Sequence, residues 1–190
     1  MPIIENNPAV KGLSGTLGGT LVYKRYGDIT VVANKSKKRE KISEKQVAQI
    51  GRFKQATAYA KRVLKKPEMK ALYMRGINKA KLIHSAYNVA IRDFLEAPKI
   101  HEIDTKDYTG EAGQLIRVRA TDDFMVKSVT ITVANAEGEV VETGEALARG
   151  KKGLWRFTTT IRRLSVKGTV ITAVAKDYPG NETTQVFTML

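Results

Sequence analysis

Ile116-Arg117-Val118-Arg119-Ala120 and, one turn later, Val129-Thr130-Ile131-Thr132-Val133 decide how this chain is read. In both, apolar residues alternate with Arg or Thr. A period of two sends every second side chain to the same side of an extended strand, so each run fits a strand with one buried face. Val140-Val141 and residues 155–161, 170–175 and 185–188 add further β-prone runs. Short strands separated by turn residues, with no helical period between them, predict a β-sandwich over residues 99–190.

Ahead of Pro98 the period is helical. Ser43 stands three residues before Gln46, the spacing of a capping box. Val47, Ile50, Phe53, Thr57, Ala60 and Leu64 follow at steps of three and four, which predicts an amphipathic helix as far as Lys66. Pro67 ends it and opens a second helix over residues 68–75, stopped by Gly76. A third helix is expected over residues 79–95. Ile83, Tyr87, Ala90, Ile91 and Phe94 share its face, and Pro98 closes it. Nearer the start, residues 21–26 and 29–33 flank Gly27-Asp28 and predict a β-hairpin with a II′-type turn. A lone hairpin is marginal in water, so it must pack on something. Gly12, Gly15, Gly18 and Gly19 before it read as a flexible or tightly turning arm.

Charge changes where the period changes. Residues 1–98 carry a net +13 and residues 99–190 a net +1, so nearly all of the whole-chain +14 sits in the first half. The expected fold class is α+β, with a basic helical N-terminal half bearing a β-hairpin (1–98) and a β-sandwich after it (99–190). An excess of this size draws a segment toward polyanions or acidic protein surfaces.

With no Cys, the chain has no disulfide, thiolate metal site or Cys nucleophile. No run approaches the roughly 20 apolar residues that span a bilayer. Residues 1–10 lack the basic and apolar regions of a secretory signal. Synthesis in the cytoplasm without a signal peptide is expected, and signal-independent export stays open.

The second half resembles bacterial immunoglobulin-like domains. The residues that carry the likeness are Val118-Arg119-Ala120-Thr121-Asp122-Asp123, Val126 to Val133 with Gly138 at a hairpin turn, and the single Trp155 opening a strand. Ala173-Val174-Ala175-Lys176-Asp177-Tyr178-Pro179-Gly180-Asn181 looks like that family's closing strand and turn. The resemblance implies a sandwich of about seven strands. It implies no activity, because such sandwiches serve unrelated roles. No Cys pair flanks the Trp, so the antibody type is excluded. Gly15-Thr16-Leu17-Gly18, Ser43, Gln46 and Arg52-Phe53 resemble, more weakly, the start of some bacterial proteins of unknown function.

Chemistry-bearing residues are few. Lys35, Lys37, Lys38, Arg39 and Lys41 form a basic loop, and Lys45, Arg52, Lys54, Lys61, Arg62, Lys65 and Lys66 follow along the first helix. Closely spaced cations suit phosphates or an acidic protein. No helix-turn-helix, RNP or zinc-finger signature accompanies them. Tyr23 and Tyr26 flank Lys24 and Arg25, where they can anchor a partner or simply pack across the hairpin. Trp155 and Phe157 read as sandwich core. His84 reads as a helix residue and His101 as an exposed one. Neither belongs to a His-Glu-x-x-His or Gly-x-Ser-x-Gly pattern, and no catalytic constellation or cofactor is expected. Asp122, Asp123, Asp177 and Asn181 are a weak oxygen set for a cation. They are equally expected as turn formers.

The leading expectation is therefore a non-enzymatic structural or cargo-type protein. Its basic half would dock on an acidic surface within a larger assembly, by analogy with phage tails and contractile injection machines. The alternatives are nucleic-acid binding through residues 35–66 and a sandwich lectin or adhesin.

Overall fold

The computed structural model describes residues 3–4, 10, 12–26, 29–36, 42–78, 83–150, 153–162 and 165–190. β1 (Ile3–Ile4), β2 (Gly15–Leu17), β3 (Leu21–Tyr26) and β4 (Ile29–Asn34) form one antiparallel sheet in the order β1-β4-β3-β2. The predicted hairpin is its centre, with Tyr23 opposite Val32 and Tyr26 opposite Ile29. The Gly27-Asp28 turn lies outside the described residues. The hairpin does not stand alone, since two further strands flank it. The glycine arm supplies one of them. Gly18 and Gly19, at φ 57° and 71°, form the tight turn that joins β2 to β3. The Thr20 N–H donates to the Leu17 carbonyl at 3.3 Å across it. A side chain at either position would strain the left-handed backbone, which explains why two glycines adjoin there.

α1 (Glu44–Val63) begins at the predicted cap. The Ser43 N–H donates to Gln46 Oε1 at 3.2 Å, and the Gln46 N–H donates to Ser43 Oγ at 3.4 Å. Both orphan donors are satisfied by a contact between residues three apart. Ser43→Ala is expected to lower stability by about 1 kcal/mol, read as a reduced urea midpoint. α2 (Pro67–Met74) starts on its proline, and the Gly76 N–H follows its last turn by donating to Tyr73 O at 3.1 Å.

α3 (Ala86–Leu95) is shorter than the predicted third helix. Residues 79–82 lie outside the described residues. Ile83 pairs with Asn78 as an isolated bridge, and His84 precedes the helix instead of lying in it. The reason is local. The Ser85 side chain accepts the Asn88 N–H at 3.2 Å, so Ser85 caps the helix and sets its start.

Contacts divide the chain into two compact units, residues 1–55 with 63–89, and residues 56–62 with 90–190. In the second unit, β5 (Lys99–Asp104), β6 (Leu115–Thr121), β7 (Ser128–Ala134), β8 (Val140–Glu145), β9 (Leu147–Ala148), β10 (Leu154–Thr158), β11 (Val170–Lys176) and β12 (Glu182–Thr188) build two antiparallel sheets. Their orders are β5-β6-β10-β9 and β12-β11-β7-β8.

Alternation holds where it was read. Ile116, Val118 and Ala120 on β6 and Val129, Ile131 and Val133 on β7 are buried, and the Arg and Thr residues between them are less so. These two rows join Ile103, Trp155, Phe157, Ile171, Ala173 and Ala175 in one core drawn from both sheets. The fold of this unit is a β-sandwich. His101 is the extra residue of a bulge in β5, where the register with β6 shifts between Ile100 and Glu102. It is exposed, as expected, with Nε2 2.6 Å from Thr121 Oγ1.

Candidate functional site

α1 buries the face its sequence pattern offers only toward its C-terminal end, where Ala60 is covered. Ala56, Tyr59 and Ala60 are its buried residues. Val47, Ile50 and Phe53, expected to point inward, are 59%, 46% and 49% exposed. At 100° per residue the buried trio centres well over a quarter-turn from the exposed one. The pattern was right that the helix is amphipathic, and the folded chain leaves that stripe at the surface.

Cations follow the same helix. Lys45 and Arg52 lie two turns apart on one side, Lys54 and Lys61 two turns apart on another. All of the docking candidates among the described residues are exposed: Lys35, Lys45, Arg52, Lys54, Lys61, Arg62, Lys65 and Lys66. Lys37, Lys38, Arg39 and Lys41 lie outside the described residues. The structure thus spreads positive charge around α1 and does not focus it on a single patch. Tyr26 is 44% exposed, whereas Tyr23 is half-buried opposite Val32. Cross-strand packing therefore accounts for Tyr23, and Tyr26 is the more available of the two.

The oxygen-rich turns of the sandwich have another job. Asp177 Oδ1 accepts the N–H groups of Gly180 and Asn181 at 2.7 and 2.6 Å, and Oδ2 accepts from Asn181 Nδ2 at 2.7 Å. The Asn181 amide also reaches the carbonyls of Asp93, Phe94 and Glu96 at 3.2–3.3 Å. These are carbonyls of the last turn of α3 and its exit, which lack partners within the helix. Asn181 is a helix cap delivered from a sandwich turn, a role that sequence spacing does not show. Thr183 Oγ1 continues the seam by donating to Pro98 O at 2.6 Å. Tyr59 and Phe94 pack with ring centroids 5.4 Å apart.

Burial raises the Asp177 carboxyl above its ordinary value. Its three N–H donors oppose that, and the charge of Asp122 adds to it. Asp122 is accordingly at the same pole. Its Oδ2 accepts the N–H groups of Phe124 and Met125 at 3.2 Å each, a turn-forming pattern, while its Oδ1 is buried with no hydrogen-bond partner among the described residues. Asp123 pairs with Arg92 at 2.6 Å. Among the described residues, no three His, Asp or Glu side chains are grouped to hold a metal ion. A cavity of about 390 Å³ beside Trp155 is lined by Phe124, Met125 and Leu154 and is open to solvent. No helix among the described residues is long and apolar enough to cross a membrane.

No family model matches the chain, and no curated protein matches it. About half of it is similar to parts of solved structures. CopC from Methylosinus trichosporium OB3b is 14% identical at a TM-score of 0.36, the match covering 48% of this chain and 89% of CopC. An engineered protein is 28% identical at a TM-score of 0.34, over 47% of this chain and 19% of that one. A tetra-tandem repeat in the extending region of a large adhesion protein is 22% identical at 0.33, over 50% and 23%. At such TM-scores none of these likenesses carries a functional argument.

Proposed function

We propose that this is a non-enzymatic structural or interaction protein that docks through its basic N-terminal half onto an acidic protein surface. It would serve as a component or cargo of a phage-tail-like or contractile injection assembly. One observation carries the reading: the net +13 of residues 1–98, set against +1 for residues 99–190, with every described cation of the docking stretch exposed. Charge so displaced from the sandwich gives long-range attraction and orientation toward an acidic partner.

In this reading residues 1–98 dock and residues 99–190 are an immunoglobulin-like module. Strand order supports that assignment. Lettered in chain order, with β8 as C′, the sheets run A-B-E-D and G-F-C-C′, the arrangement of immunoglobulin sandwiches.

The test is a salt titration of the full chain against labelled polyglutamate, duplex DNA and RNA. Polyglutamate binding is expected to equal or exceed nucleic-acid binding near physiological salt. Reversing Lys45, Arg52, Lys61 and Lys65 to Glu is expected to abolish it. Nucleic-acid affinity that far exceeds polyglutamate affinity and survives salt would transfer the function to nucleic-acid binding, the alternative reading.

A further inference from the structure

Val47, Ile50 and Phe53 need an explanation that charge alone does not provide. Three large apolar side chains at steps of three line one side of α1 over about 9 Å. Each is close to half exposed or more. A monomer gains nothing from holding them in water, and covering them with another apolar surface is favourable. Contiguous apolar surface of this kind marks a place where another molecule sits.

Gly51 lies beside the stripe. A glycine in a helix interior is destabilising relative to Ala. A Cβ built on Gly51 would meet nothing within 4 Å among the described residues, so none of them demands a glycine there. A bare position on an open helix face allows a second backbone to approach closely.

Charge selects among occupants. Lys54 lies one turn from Ile50 and two turns from Val47, within the stripe itself, and α1 carries five cations against the single acidic Glu44. A second copy would bring the same excess against itself, on halves that each bear +13. An acidic partner gains where a copy loses.

We infer that Val47, Ile50 and Phe53 seat the apolar face of an acidic amphipathic helix from a partner protein, with Gly51 admitting its backbone and the net positive charge of α1 drawing its carboxylates. This rests on the docking reading above and specifies its partner. Apolar residues of that helix recur at steps of three and four, with Asp or Glu on either side.

The experiment uses the full chain and a labelled helical peptide of about three heptads, with Leu on one face and Glu at the flanks. Controls are a peptide of equal composition with Leu scattered around the helix, and polyglutamate of equal charge. The facial peptide is expected to bind at least about tenfold tighter than either control, a difference of about 1.4 kcal/mol. Ile50→Gln and Phe53→Gln, which leave the charge as it is, are expected to erase that preference and leave polyglutamate binding and thermal unfolding unchanged. Ile50→Ala, as the milder change, is expected to reduce it partway. Equal binding of the two peptides overturns the inference and leaves acidic docking standing. Failure of all three probes overturns both. Sedimentation showing a concentration-dependent dimer that Ile50→Gln abolishes overturns the inference in favour of self-association.

Discussion

Asp177→Ala is expected to lower the unfolding free energy by about 3 kcal/mol, a loss typical of breaking a buried hydrogen-bond network. Asp177 is fully buried, and its two oxygens hold three N–H groups of the 177–181 turn. Removing them leaves the Gly180 and Asn181 N–H groups without their acceptor. It also frees the Asn181 amide from the position in which it caps α3. The chain's single Trp, Trp155, lies in the sandwich core, so its fluorescence in a urea titration reads the loss directly. A change under about 0.5 kcal/mol would mean the turn holds its shape without the carboxylate.

The same residue gives a pH signature. Burial holds its carboxyl above the ordinary value of 3.8, so the folded chain binds this proton more tightly than the unfolded chain does. Its contribution therefore favours folding least when it is ionised. That contribution falls as pH rises from about 4 through the raised folded value, and is flat above it. Asp177→Asn has no such titration. The stability of the Asn variant relative to the natural chain is expected to improve as pH rises through this window. A difference constant with pH would remove the titration from Asp177.

Gly153→Ala is the second large effect, also about 3 kcal/mol. Gly153 has φ 67°, a conformation that side chains strain, and a Cβ there would run into the backbone carbonyl of Ala120 and lie 3.0 Å from Thr121 Cγ2. Ala120 cannot retreat. It is fully buried on β6, and its N–H donates to Gly153 O at 2.9 Å. Gly138→Ala is the control. Gly138 has φ 86° with open space where a Cβ would go, so it carries the strain without the collision and is expected to cost about 1 kcal/mol. Equal losses in the two variants would mean that β6 yields, and that the close approach of residue 153 is not what requires a glycine.

Features that depend on neighbours along the chain were legible. The capping box needs only Ser43 and Gln46. Alternation on β6 and β7 needs only the pleat, and the sandwich that buries it follows from strands with one apolar face. The opening of α2 needs only the fixed backbone of Pro67. The third helix failed at its start because residues 83–85 continue a helical period. A period does not show that Ser85 offers a better first cap than anything before it.

Of the candidate site, the sequence alone supplied the list of cations and their exposure on a polar helix, since Lys and Arg keep their charges in water. It also supplied the displacement of charge toward one half, which is a matter of counting. Only the tertiary structure decided which face of α1 is covered. Val47, Ile50 and Phe53 are as apolar as any core residues, but burial requires a surface folded over them, and the chain covers α1 only further along, at Ala56, Tyr59 and Ala60. Only the tertiary structure turned Asp177 and Asn181 from possible cation ligands into the clamp on α3. Asp177 holds its own turn, while the carbonyls that accept from Asn181 lie more than eighty residues away, a distance that no local spacing reports.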